Sequence, residues 1–345
     1  MIRTFFFLLL LILVSCKPSG EKQSGQSTES IPQTATVISS FDGSAAILLQ
    51  QLRDQGDYVN SRQYPSMIKP ETVYSELEGN ILIVDLRSEE KFSGGHIKGA
   101  VNVTMEKLLP YFENDIIPFQ YDKIVLVCNG GQRTSYSTQL LRLMGYGNVY
   151  SMRWGMSGWH SDFAGYLWER VISSDHQEQL VPDVSEKPAT ANQPPLQSNL
   201  ENGEELLRER VSTLLSQSPK DIFISKTEVF ENPGQYFIIN WERRDKYEAG
   251  HIPDAIRYKP QGTLGIPAEM GTLPTDKTIV LYCGTGMSSA FATGYLRLFG
   301  YDARSLSYGN NSFMHQKMLD EQEVLSWHPY TNEMVQDLPY VKVNN

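Results

Sequence analysis

With 345 residues, 40% of them hydrophobic, the chain has enough apolar content to build two ordinary cores. Its formal net charge of −10 at pH 7, with no Lys/Arg block, argues against a nucleic-acid partner, and any anionic substrate must be captured by local fields because the global one repels it. The three cysteines, Cys16, Cys128 and Cys283, form no CxxC pair and the six histidines are scattered, so neither a metal site nor a cofactor is expected.

In chain order, Arg3 precedes an uninterrupted apolar run from Phe5 to Val14, too short to span a bilayer as a mature helix and typical of a signal segment. The following Leu13-Val14-Ser15-Cys16 resembles the lipobox of bacterial lipoproteins. That resemblance implies a signal over residues 1–16, with Cys16 becoming the lipidated N-terminus and holding the chain to a membrane on its extracytoplasmic side; an uncleaved anchor leaves it on the same side. Residues 17–40, rich in Ser, Gly, Gln, Thr and Pro, read as a flexible tether. Residues 41–66 read as an accessory helical segment, capped by Asp42 or Ser44, with Ala45, Leu48 and Leu52 on one face and Gly56 closing it.

Residues 67–168 alternate β and α: a helix over 70–77 with Pro at its first turn, strands over 81–86, 123–127 and 149–152, a helix from Thr134 to about Gly145, and another beyond Gly155. This alternation predicts an α/β fold, a parallel sheet flanked by helices, with chemistry at the carboxyl ends of the strands. Trp154 and Trp159 read as packing residues. Residues 171–203 turn polar and carry Pro182, Pro188, Pro194 and Pro195, the mark of an interdomain linker. Residues 204–222 offer a leader helix with Leu207, Val211 and Leu214 on one side and a Glu204/Arg208 pair on the other. A second domain over 223–325 and a polar tail over 326–345 complete the chain.

The stretch from Val125 to Ser135 concentrates the chemistry. A buried strand ends at Cys128, Gly130 and Gly131 let the backbone curl with its N–H groups inward, and a helix opens with Tyr136, Leu140 and Leu143 as its buried stripe. Cys128 then lies at an N–H-lined nest, over the positive end of a helix dipole and beside Arg133. A free cysteine with a pKa of about 8.5 is only about 3% thiolate at pH 7, and such a setting can bring it to roughly 6 or below. The alternative is a buried structural cysteine that happens to end a strand.

The second half repeats the first. His96 and His251, Cys128 and Cys283, and Gly145 and Gly300 each stand 155 positions apart, and Gly95-His96-Ile97 and Leu141-Arg142-Leu143 return as Gly250-His251-Ile252 and Leu296-Arg297-Leu298. A period this long means two copies of one domain.

The set Asp85-Leu86-Arg87, Gly95-His96-Ile97-Lys98-Gly99-Ala100, Cys128-Asn129-Gly130-Gly131-Gln132-Arg133-Thr134 and Gly145-Tyr146 resembles the rhodanese domain, the fold of thiosulfate and mercaptopyruvate sulfurtransferases, over residues 67–168 and, more loosely, 223–320. The resemblance implies two rhodanese-like α/β domains joined by the proline-containing linker. It also implies a double displacement: a cysteine thiolate takes a sulfane sulfur from a small anionic donor, becomes a persulfide, and passes the sulfur to a thiol or to cyanide. On the family's motif Cys128 carries the sulfur, Asn129, Gly130, Gly131, Gln132 and Arg133 cradle it, and Asp85, Arg87 and His96 support the loop. Phosphatases on this fold separate cysteine and arginine by five residues; the four here favour sulfur over phosphate.

Copy two departs from the pattern. Asn240-Trp241-Glu242 stands in place of Asp85-Leu86-Arg87, and Ser288 in place of Arg133. Yet Cys283-Gly284-Thr285-Gly286-Met287-Ser288 is similar to the loop of mercaptopyruvate sulfurtransferases, which implies Cys283 as a second catalytic cysteine, with Asp85 and His96 in the places of that family's assisting residues. Taken as residues alone, His96 and His251 in glycine turns more often satisfy backbone groups than relay protons. In an extracytoplasmic setting a Cys128–Cys283 disulfide is a further alternative, requiring Cα atoms within about 7 Å. So is a binding or sensing module of the cell envelope that keeps the fold without the catalysis.

Overall fold

A computed structural model describes residues 38–343, apart from 166 and 190. The signal segment, the lipidation at Cys16 and nearly all of the tether lie outside the described residues. Among the described residues no helix is long and apolar enough to cross a membrane.

Two parallel five-stranded sheets form. Strands β1 (Met67–Ile68), β2 (Ile81–Asp85), β3 (Val101–Asn102), β4 (Lys123–Val127) and β5 (Val149–Met152) assemble in the order β1-β5-β4-β2-β3. The second copy, β6 (Phe223–Ile224), β7 (Tyr236–Asn240), β8 (Ile256–Arg257), β9 (Thr278–Tyr282) and β10 (Ala303–Leu306), repeats it as β6-β10-β9-β7-β8. The strands are β-branched and apolar because both faces are covered: on β4, Ile124 and Leu126 enter one core while Val125 and Val127 enter another. On β9, Ile279 and Leu281 face the first of these cores, so one apolar cluster runs through both copies. Register sets Asp85 beside Val127 and Asn240 beside Tyr282, which brings the strand ends level where the cysteine loops begin.

Between the sheets lie the two cysteine helices, Gln132–Leu143 and Met287–Leu298, packed against each other. A single stripe of Tyr136, Leu140 and Leu143 is therefore too little: every residue of the first helix but Arg133, and every residue of the second but Ser288, is buried. Sequence periodicity predicts one covered face; the second copy covers the other.

Three further segments make long-range contacts that local sequence does not announce. The stretch 171–203 is pinned down, with Val181 bridging His251, Ser185 bridging Ile256 and Ser198 bonding Ser44 at 3.0 Å. Arg208 reaches past Glu204 to make a bidentate pair with Glu113, both contacts 2.7 Å. The end of the chain returns to copy one: Leu338 N–H donates to Trp159 O, the Trp159 indole to Pro339 O, and Val341 forms a bridge with His96. Helix Gly43–Asp54, with Asp42 at its N-cap and Ala45, Leu48, Leu49 and Leu52 buried, packs on helix Gly203–Leu215, while the Ser44 hydroxyl is taken by Ser198.

Because Leu140 and Leu296 belong to the same core, urea unfolding of the whole chain is expected to show one cooperative transition, which Leu140→Ala and Leu296→Ala each lower by about 2–5 kcal/mol. Two transitions, each sensitive to only one substitution, would show separate cores.

Candidate active site

Cys128 follows β4 directly and is 6% exposed. Gly131 takes the left-handed conformation (φ +87°) at the start of the cysteine helix, and this turns its N–H back onto Cys128 Sγ at 3.2 Å. Thr134 Oγ1 stands 3.5 Å from the same sulfur, held in turn by Ser151 Oγ–H at 2.8 Å. The carbonyls of Cys128, Asn129 and Gly130 are tied outward, accepting from Met156 N–H, Ser157 N–H and the Trp168 indole. Close approach is essential: a Cβ on Gly155 would stand 2.2 Å from the Cys128 carbonyl oxygen.

The sulfur opens onto a cavity of about 260 Å³ lined by Arg87, Asn129, Gly130, Gln132 and Arg133 from copy one and by Pro219, Phe223, Ser307 and Tyr308 from beyond the linker. Arg87 is committed, gripping Asp85 with its Nε and Nη2 at 2.7–3.1 Å and donating to Gly95 O at 2.6 Å, all buried. Arg133 makes no ion pair among the described residues, so its guanidinium is the cation available at the cavity. Gln132 lines the cavity while spending its Oε1 on the main-chain N–H of Tyr308, 2.8 Å away. His96 lines neither cysteine cavity; its Nδ1 pairs with Phe92 O at 2.8 Å and its ring stacks on Phe92.

Cys283 sits differently. It is 3% exposed and packs in the shared apolar core, with Sγ accepting from Ser289 N–H at 3.3 Å. Its cavity, about 190 Å³, is lined by Glu242, Arg243, Lys246, Gly284, Thr285, Met287, Ser288 and His328, and by Met67, Arg153 and Trp154 of copy one. Glu242, standing where copy one has Arg87, accepts the Gly284 N–H at 2.5 Å and lies 3.5 Å from Lys246 Nζ. A carboxylate of the chain thus takes a main-chain donor of the cradle. Burial pushes the Glu242 carboxyl up despite Lys246, and burial followed by the Glu242 charge pushes the Cys283 thiol up. Gly286 (φ +73°) opens the helix as Gly131 does, and Thr285 Oγ1 accepts from Met287 N–H. Both cysteines are free thiols, so the disulfide alternative is not realised.

Sequence reading missed the walls that each copy lends the other. One signal was present: an aromatic-glycine pair follows the last strand of each copy, Trp154-Gly155 and Tyr308-Gly309, and both aromatic residues adopt positive φ. No group of three or more His, Cys, Asp or Glu arranged to hold a metal ion occurs among the described residues.

The family described as Rhodanese-like domain matches residues 69–162 and 229–316, more than half of the chain. The chain belongs to the rhodanese family. Among curated relatives, the tRNA uridine(34) hydroxylase of Rickettsia typhi is 26% identical over 137 residues, covering 38% of this chain and 52% of that protein. That of Teredinibacter turnerae is 26% identical over 104 residues, covering 29% of this chain and 30% of that protein. The chain therefore spans about half or less of the curated relatives it matches. Among solved structures, thiosulfate sulfurtransferase from Pseudomonas aeruginosa aligns over 77% of this chain and 47% of its own at 16% identity and a TM-score of 0.28. SseA from Escherichia coli, a 3-mercaptopyruvate sulfotransferase, aligns over 70% of this chain and 97% of its own at 14% identity and a TM-score of 0.25.

The contrast between the two rhodanese loops gives a measurable order of reactivity. With iodoacetamide at neutral pH, Cys128 is expected to alkylate at least about tenfold faster than Cys283, read by peptide mass. Glu242→Gln removes one of the causes that raise the Cys283 thiol, so its alkylation profile should move to lower pH. An unchanged Cys283 profile in that variant would show that the Glu242 charge does not act on it.

Proposed function

We propose that the protein is a sulfurtransferase in which Cys128 carries the sulfur as a persulfide. The observation that carries this reading is the Gly131 N–H aimed at Cys128 Sγ under a cavity where Arg133 is the uncommitted cation. The Cys128 thiolate attacks the outer sulfur of a donor such as thiosulfate; a sulfur–sulfur bond forms at Cys128, the donor's sulfur–sulfur bond breaks, and the electron pair leaves with sulfite. The persulfide's outer sulfur is then taken by an acceptor thiolate or cyanide, which returns the Cys128 thiolate. The Gly131 N–H and the Arg133 guanidinium favour an anion at each stage, and a cavity of about 260 Å³ suits small donors, thiosulfate or a mercaptopyruvate-type acid.

Cys283 is assigned a lesser role in this scheme, since Glu242 already supplies its loop with an anion. The same contact favours a second reading for copy two alone, that of a non-catalytic receptor domain. We further propose that the chain acts outside the cytoplasm, tethered by lipid at Cys16. The hydroxylation named for the tRNA-modifying relatives is not adopted, since the acidic net charge of −10 runs against a polyanionic substrate.

Incubated with thiosulfate, the protein is expected to gain the mass of one sulfur on Cys128, abolished in Cys128→Ser and retained in Cys283→Ser, while Arg133→Ala slows loading by about 10²-fold. Absence of added sulfur with either donor, or its presence on Cys283 alone, would overturn the assignment. Cys16→Ser is expected to move the protein from the membrane fraction to the soluble one; unchanged fractionation would remove the lipid anchor.

A further inference from the structure

Tyr308 belongs to copy two, yet it lines the cavity over Cys128, and the charge of that sulfur acts on its phenol. Its backbone is left-handed (φ +63°, ψ 0°), a conformation a bulky aromatic residue rarely adopts and one that collects at functional sites. What holds it there comes from the site itself. Gln132, the fourth residue after Cys128, accepts the Tyr308 N–H at 2.8 Å. The Tyr308 ring meets the Trp168 ring edge-on at 4.9 Å, and the Trp168 indole in turn donates to Gly130 O of the cradle. Main chain and ring are thus both fastened to the loop around the sulfur, while the hydroxyl makes no hydrogen bond among the described residues.

The same backbone turn places Trp154 (φ +62°) in the Cys283 cavity. The reach across the copies is therefore a property of the repeat, and the phenol is what distinguishes the Cys128 side.

Resting on the sulfurtransferase reading above, we propose that Tyr308 is a specificity-determining residue of the Cys128 site, its hydroxyl donating a hydrogen bond to the sulfur-bearing oxyanion bound there. During transfer from thiosulfate, Cys128 Sγ bonds to the outer sulfur, the donor's sulfur–sulfur bond breaks and the electron pair goes to sulfite. Tyr308 donates to a sulfite oxygen as its charge grows and keeps its own proton. Burial, which pushes the phenol's pKa up to about 12, keeps it a donor at neutral pH beside an anion.

The test uses the full chain and compares the parent with Tyr308→Phe, which keeps the ring against Trp168, and Tyr308→Trp, which copies the other cavity. Two readouts are taken: protection of Cys128 from iodoacetamide by sulfite, as a ratio of rates with and without the anion, and the rate of sulfur loading from thiosulfate by intact mass. Both variants are expected to need about tenfold more sulfite for half protection and to load about tenfold more slowly at limiting thiosulfate, the loss expected for one hydrogen bond to an anion. If the parent is protected and loads while Tyr308→Phe matches it in both, the Tyr308 proposal fails and the sulfurtransferase reading stands. If the parent is neither protected by sulfite nor loaded by thiosulfate or mercaptopyruvate, both fall together.

Discussion

The packing of one cysteine helix on the other is the constraint from which the rest of the molecule follows. Because Gln132–Leu143 and Met287–Leu298 lie side by side between the sheets, each is closed off on all sides and only its first turn, at Arg133 and at Ser288, meets a cavity. The loops that follow β5 and β10 are carried to the opposite copy's cysteine, Trp154 toward Cys283 and Tyr308 toward Cys128. A single copy would have a loop and a sulfur but no roof. Duplication here completes two sites that neither half forms alone.

Within that shared frame the two sites have diverged by charge. In copy one the second residue past the strand end, Arg87, is neutralised by Asp85 and fastened to Gly95 O, leaving Arg133 to face the cavity. In copy two the corresponding residue is Glu242, and its carboxylate reaches the Gly284 N–H. The fold holds these positions to similar places and the side chains reverse the field. A nest of main-chain donors attracts whichever anion is nearest, and in copy two that anion is built in.

Much of this was legible in the residues. The strands over 123–127 and 149–152 fall where β-branched runs end in a cysteine or a turn, and the 155-residue displacement announced two like domains because Gly95-His96-Ile97 and Leu141-Arg142-Leu143 both had partners. The turn of the Gly131 N–H onto Cys128 Sγ was readable from Gly131 and the helix start, since left-handed backbone and an opening helix leave that amide few other directions. His96 was readable as a structural residue from its glycine turn, and its Nδ1 does bond Phe92 O. What one copy does to the other was not readable. Nothing in the spacing of Tyr136, Leu140 and Leu143 says that Ser137, Thr138 and Gln139 will be buried as well. Nor does Glu242, which reads only as a lost arginine, disclose that it turns to grip Gly284. Long-range contacts of this kind depend on how two surfaces meet, which local periodicity does not encode.

The return of residues 336–343 to copy one bears on how the molecule is made. Residues 336–343 lie along the first sheet's domain, with Gln336 N–H on Gly158 O, Leu338 N–H on Trp159 O and Val343 N–H on Ser93 O. During synthesis from the N-terminus, those carbonyls wait for residues 336–343 to emerge, long after the domain that bears them has been translated. The half of the molecule that is born first is thus finished only after the second half has followed it.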